Sequence, residues 1–493
     1  MRPALRVSLP AICIAAVTAA ASTHANAQAQ PAAPPPQPTT RLQFTPGVVT
    51  ERVTATGTPS ETYALYVPSS YTAQRRWPVL FLMDPRGRAL VPLNLFKDAA
   101  ERFGYVVLSS YNTVSDASVE PNVRALDAML QDAQEHFAVD EKRIYLGGFS
   151  GTARMSWQFA VQLRDNVAGV IGVGAGLPTP LLLLELARLG PSPFVFFGTS
   201  GLTDFNYEEV RALDGVLDAL PVRNHVEYFD GAHEWLPATV ALRALEWMEL
   251  QAMRAALRPR DDAWIDSLYR ARVTEASGLE QTRPHDAWMA YQRVHDDFRD
   301  LRDVSEVSKK VAALARNRSV RRAVDAQRTY ASRDSAYGDK LVNFLRGVRE
   351  TAQPPAASAI ERALELESLK RDAARTDDTL RALAAKRLLE RAFVYLAFYE
   401  PREYFASDQQ PRAIALLNAA RRIKPQSAQV CFSLARAHTE LGQNALALEA
   451  LECAVQSSSI GADALSREPT LAGLRAESGF VAILERLKAS GRP

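Results

Sequence analysis

Short apolar runs alternate with longer amphipathic stretches through the first half of the chain, and the alternation stops near residue 260. Residues 78–83, 105–108, 143–146, 168–174, 194–199 and 226–229 are runs of the length and apolarity of buried strands. Two further strand-like pieces, 47–55 and 61–67, come before them. Residues 119–137, 153–163, 207–220 and 236–257 repeat their apolar positions at helical spacing, and four leucines at 181–184 read as a core helix. Buried strands alternating with helices predict an α/β fold, with a mostly parallel sheet covered by helices on both faces.

From Asp261 onward strand signals vanish, and stretches rich in Ala, Leu, Arg and Glu predict an all-α region. Trp264, Leu268, Trp288, Tyr291 and Phe298 fall at helical spacings and are expected in its core. Pro354 and Pro355 interrupt the helices. The expected division is a leader at 1–27, a linker at 28–40, an α/β domain at 41–258, a helical domain at 259–400 and a repeat-bearing helical region at 401–493.

The leader changes the picture of where the chain works. Arg2 and Arg6 precede an alanine-rich apolar run at 7–21, and Ala25-Asn26-Ala27 fits a small-x-small cleavage site. This predicts export to the periplasm or the medium. The Pro-, Ala- and Gln-rich stretch that follows has no periodicity and reads as an extended linker. The 58 basic residues nearly balance the 56 acidic ones, and cleavage removes two arginines, so no basic surface argues for nucleic acid. No other run is long and apolar enough to span a bilayer. Cys431 and Cys453 remain after cleavage and fit either a disulfide or two buried thiols. No His and Cys spacing suggests a metal site, and no cofactor is expected.

The candidate chemistry sits at Gly148-Phe149-Ser150-Gly151, between the strand at 143–146 and the helix at 153–163. A serine on a sharp strand-to-helix turn has its hydroxyl lifted clear of the sheet, beside the free N–H groups of a helix N-terminus. The partners follow in order. Asp204 lies in the loop after the strand at 194–199, and His233 in the loop after the last strand. Serine, acid, histidine is the order of one known catalytic constellation. His24 falls in the leader, His136 in a helix and His225 at a strand start, while His285, His295 and His438 lie in the helical half. Asp230, near His233, is the second candidate for the acid. Glu208 and Glu209 read as first-turn helix charges. The Gly151 amide is the expected first oxyanion donor. Pro85 has no N–H, so Arg86 or Gly87 is the expected second donor. The Arg86 and Arg88 side chains fit an anion-facing role or ordinary solvated positions.

On these residues, about 61–253 resembles the α/β-hydrolase superfamily, nearest its secreted esterase-type members. The resemblance rests on Gly148-Phe149-Ser150-Gly151, Asp204 and Gly231-Ala232-His233-Glu234-Trp235. It implies cofactor-free hydrolysis of esters, thioesters or sometimes peptides, with Ser150 as nucleophile, His233 as base and Asp204 as the acid that orients it. Thr152 stands where the family elbow has its last glycine, a departure that bears on helix–strand packing. A second resemblance, to tetratricopeptide repeats, covers about 412–459. It is carried by Leu434, Ala435, His438, Gly442, Ala447, Leu451 and Ala454, with Ala413, Leu417, Ala420 and Pro425 as part of another unit. Such repeats usually bind proteins or peptides. The expected function is a small-molecule carboxylic ester hydrolase. The alternatives are a serine peptidase and a non-catalytic scaffold that works through the helical repeats.

Overall fold

Eight strands form one sheet in a computed structural model that describes residues 42–176, 179–188, 194–220, 222–456 and 460–491. The expected leader and linker lie outside the described residues. In chain order the strands are β1 (Val49–Thr54), β2 (Thr62–Tyr66), β3 (Trp77–Met83), β4 (Val106–Ser110), β5 (Val139–Phe149), β6 (Gly169–Val173), β7 (Val195–Gly201) and β8 (Asn224–Phe229). Their order across the sheet is β1-β2-β4-β3-β5-β6-β7-β8. β1 and β2 run antiparallel, as do β2 and β4, and every other pair is parallel. The crossovers are helices α1 (Leu90–Phe103), α2 (Glu120–His136), α3 (Gly151–Leu163), α4 (Pro180–Arg188) and α5 (Tyr207–Leu217), and α6 (Ala238–Arg254) follows β8. This is the mostly parallel, two-faced sheet that the alternation predicts.

The central strands are apolar because both faces are covered. All seven residues of β3 and all five of β4 and β6 are buried. β5 is longer than the run at 143–146 suggested, since Val139 pairs with Trp77 ahead of a register irregularity. α1 had no sequence expectation. Its buried face is Pro92, Leu93, Phe96, Ala99 and Ala100. α4 forms at the expected leucines, but it is a surface helix. Leu182 and Leu186 are buried, whereas Leu181 and Leu184 are 65% and 56% exposed.

After α6 the described chain is helical. Asp261 caps the first helix, Asp262–Leu279, by accepting from the Trp264 amide. Two separate apolar clusters follow. One joins Leu250 and Met253 of α6 to Ile265, Tyr291, Val294 and Phe298, so the start of the helical region is built on the last helix of the α/β region. The other runs without a break from Tyr337 to Leu487, across the expected boundary at 400, because the helices Arg318–Glu350 and Thr379–Val394 pack on the later ones. The long helix Arg318–Glu350 stops just before Pro354-Pro355. The one-turn π segment Tyr395–Tyr399 lets the chain continue helically into Glu400–Ala406, where Pro401 occupies a first-turn position. Helices Ala428–Glu440 and Asn444–Gln456 pack on each other through fully buried Leu434, Ala435, Ala447, Leu451 and Ala454. Gly442 turns between them at φ 68°, and a Cys431–Cys453 disulfide joins them. No described helix is long and apolar enough to cross a membrane.

Candidate active site

β5 ends at Phe149 and α3 begins at Gly151, so Ser150 alone makes the turn, at φ 55° and ψ −125°. That is a left-handed conformation for a residue with a side chain, and its geometry needs small neighbours. A Cβ on Gly148 would lie 2.4 Å from the Thr152 carbonyl oxygen, so a larger residue there would push the helix off the strand. The turn is pinned on both sides. The Ser150 amide donates to the Val173 carbonyl at 2.8 Å. The Thr152 hydroxyl accepts from the Phe149 amide at 3.1 Å and reaches the Met83 carbonyl at 2.6 Å. The threonine that departs from the elbow pattern is fully buried and ties the turn to the end of β3.

Asp204 and His233 come from the two loops at the same end of the sheet. Leu202 and Thr203 donate their amides to Phe229 and Gly231, which binds the β7 loop to the β8 loop. Asn206 Nδ2 donates to the Gly174 carbonyl at 2.9 Å, fixing the same loop to the end of β6. Gly174 has φ 63°, and a Cβ there would lie 2.8 Å from Asp204 Oδ2 and 3.3 Å from His233 Cε1. Only glycine allows the three strands' ends to converge so closely.

The three side chains meet. His233 Nε2 is 2.9 Å from Ser150 Oγ, and His233 Nδ1 is 2.9 Å from Asp204 Oδ1. A carboxylate only accepts, so Nδ1 carries the proton and Nε2 is left to accept from the serine hydroxyl. Asp204 Oδ1 also accepts the Asn206 amide at 2.8 Å. Asp204 is fully buried, and the His233 side chain is 20% exposed. Phe149 and Phe205 hold the imidazole between them, with ring centroids 4.6 and 4.3 Å away. The arrangement can pass a proton from Ser150 to His233 while the buried carboxylate faces the imidazolium that forms. Asp230, the other candidate acid, is exposed and takes no part in this line.

The oxyanion expectations separate. Gly151 is the first residue of α3, so its N–H has no intrahelical acceptor and lies next to the serine. The Arg86 amide instead donates to Asp84 Oδ1 at 2.8 Å, and the Gly87 amide to the Asp84 carbonyl at 3.1 Å. Both amides expected as the second donor are held inside a turn centred on Asp84. Arg88 is held there too, through its amide and its guanidinium, although its side chain stays 44% exposed.

Asp84 was not visible from the sequence as a site residue. It is fully buried, and its second oxygen accepts Trp235 Nε1 at 2.8 Å. It therefore joins the loop after β3 to the loop that carries His233. Burial alone would raise its carboxyl, but donation from Arg88, Trp235 and two backbone amides outweighs burial and holds it below the usual range. The expected first-turn acids also have specific partners, as Glu208 pairs with Arg211 and Glu209 with Arg154.

Two other features lie outside this constellation. Asp132, Glu135 and His136 cluster on α2, where Asp132 accepts from the Thr56 amide and the Tyr63 hydroxyl. A cavity of about 680 Å³ between β8 and the helical region is lined by Tyr207, Tyr228, Asp230 and Arg387, and includes none of Ser150, Asp204 or His233.

Neither protein-family models nor curated proteins match the chain. Solved structures similar to part of it include the fluorophosphonate-binding serine hydrolase F of Staphylococcus aureus, at 14% identity and TM-score 0.34, covering 38% of this chain and 92% of that one. A ferulic acid esterase is similar at 13% identity and TM-score 0.34, covering 41% and 96%. Esterase 2 of Thermogutta terrifontis is similar at 14% identity and TM-score 0.32, covering 41% and 92%.

Proposed function

We propose that this chain is a serine hydrolase acting on small carboxylic esters through an acyl-enzyme. The reading is carried by one observation: Ser150, on a strained turn, His233 and buried Asp204 form a continuous hydrogen-bonded line with 2.9 Å at each step. Ser150 Oγ attacks the ester carbonyl as His233 takes its proton. The Gly151 amide faces the developing oxyanion. His233 then returns the proton to the departing alkoxide. Water, deprotonated by the same imidazole, cleaves the acyl-serine and restores the hydroxyl. The helix pair around Gly442 is read as a tetratricopeptide-like unit that docks a protein or peptide. The leader is read as an export signal, with the protein at work in the periplasm or outside the cell.

A fluorophosphonate probe tests the nucleophile. Wild-type protein is expected to label at Ser150, and Ser150→Ala to lose both the label and about a million-fold in kcat. Absence of label on folded wild-type protein overturns the reading in favour of a scaffold. Faster cleavage of peptide amides than of p-nitrophenyl esters overturns the ester assignment alone.

A further inference from the structure

We propose that the C-terminal helical region is a working part of this site, because Arg387 and Arg391 hold the loop that carries Asp204. The inference rests on the hydrolase reading above, with the two arginines as positioning residues. The loop after β7 is tied inward to Phe229, Gly231 and Gly174. Its outer side is held by the helix Thr379–Val394. Arg387 Nη1 donates to the Leu202 carbonyl at 3.2 Å, and Arg391 Nη2 to the Phe205 carbonyl at 2.8 Å. These two carbonyls bracket Asp204, one two residues before it and one directly after. Phe205 in turn packs its ring on His233. The arginines are one helical turn apart, so a single face of one helix meets both ends of the acid's turn.

The clamp is itself held in place. The Arg387 side chain is 6% exposed, lies 4.4 Å over the Tyr207 ring and pairs with Glu208 at 3.3 Å. Arg391 pairs with Asp334 of the helix Arg318–Glu350, and Asp334 is 2% exposed. Buried ion pairs add little net stability, because desolvation offsets the attraction. What this pair adds is geometry: two guanidinium forks fixed from behind and aimed at two loop carbonyls. A third arginine on the following helix, Arg402, donates to the Asp116 carbonyl at 2.9 Å, next to Ser115, which closes over Gly151. The helical region thus touches the loops on either side of the Ser150–His233 pair.

The test is Arg387→Met with Arg391→Met in the full chain, checked for fold by circular dichroism and thermal unfolding. Two readouts follow the clamp. The first is ester turnover, where kcat is expected to fall about 10- to 100-fold with KM little changed. The second is the downfield proton resonance of the His233–Asp204 hydrogen bond, expected to broaden or vanish. Arg391→Lys keeps a cation beside Asp334, so it stays folded where the double variant does not. Lysine lacks the planar fork that lets Arg391 meet Asp334 and the Phe205 carbonyl through separate nitrogens, so both readouts are expected to fall to intermediate values. Wild-type kcat and an unchanged proton resonance in folded Arg391→Lys or in the double variant overturn the proposal. The resonance needs no turnover, so failure of the clamp is distinguishable from failure of the hydrolase reading.

Discussion

Ser150 holds a backbone conformation that costs a residue with a side chain about 1–3 kcal/mol, and the residues beside it supply the restraint. Thr152 is the clearest case, since its hydroxyl meets Met83 at the end of β3 and Phe149 at the end of β5. Thr152→Val keeps the shape but strips a buried carbonyl and a buried amide of this partner. The expected loss is about 1–3 kcal/mol of unfolding free energy in denaturant titration, with slower fluorophosphonate labelling as the turn loosens. The glycine rule for this turn flagged Thr152 as a departure. It did not indicate that a hydroxyl at that position has two buried groups to satisfy. Asp84 was hidden for a similar reason: its partner Trp235 is 151 residues away, and no spacing rule links them.

At the scale of elements, α6 does more than cover the sheet. Its Glu249 is fully buried, accepts the Tyr105 hydroxyl at 2.6 Å, and pairs with Arg143 of β5 and with Arg258 just beyond the helix. One carboxylate therefore joins α6, the residue just before β4, and β5. Glu249→Ala leaves Arg143 charged and nearly buried without its partner, and is expected to cost about 3–5 kcal/mol, read as a fall in Tm. Most strands and helices of the α/β half were legible as apolar runs of the right length and period. β5 was underestimated because its first residues, Asp140 to Lys142, are polar. α1 had no sequence expectation, although Pro92, Leu93, Phe96, Ala99 and Ala100 make a buried stripe at helical spacing. The surface character of α4 depends on what lies above it, which periodicity does not encode.

At the scale of the whole molecule, the join between sheet and helices contains a titrating group. His225 on β8 stacks on Phe197, with Nδ1 3.0 Å from Asp297 of the helix Pro284–Phe298 and Nε2 3.7 Å from Glu227. Burial works against its charge, but Asp297 and Glu227 outweigh burial and raise it from 6.5 to about 9. The proton is bound more tightly in the folded state. The stabilisation is therefore complete below pH 6.5 and is lost as pH rises through about 9. Across that interval the wild type is expected to lose about 2–3 kcal/mol more unfolding free energy than His225→Gln. Equal losses would show that the histidine does not secure the join. The sequence by itself determined the α/β alternation, the change to helices near residue 260, and the serine, aspartate and histidine at three strand ends. Those features are written in local periodicity, turn residues and chain order. Only the tertiary structure decided that the three side chains touch, that Asp84 reaches Trp235, and that two arginines from the far half of the chain bracket Asp204. Those contacts join positions up to 186 residues apart, and long-range pairing is fixed by how layers pack, which no local pattern records.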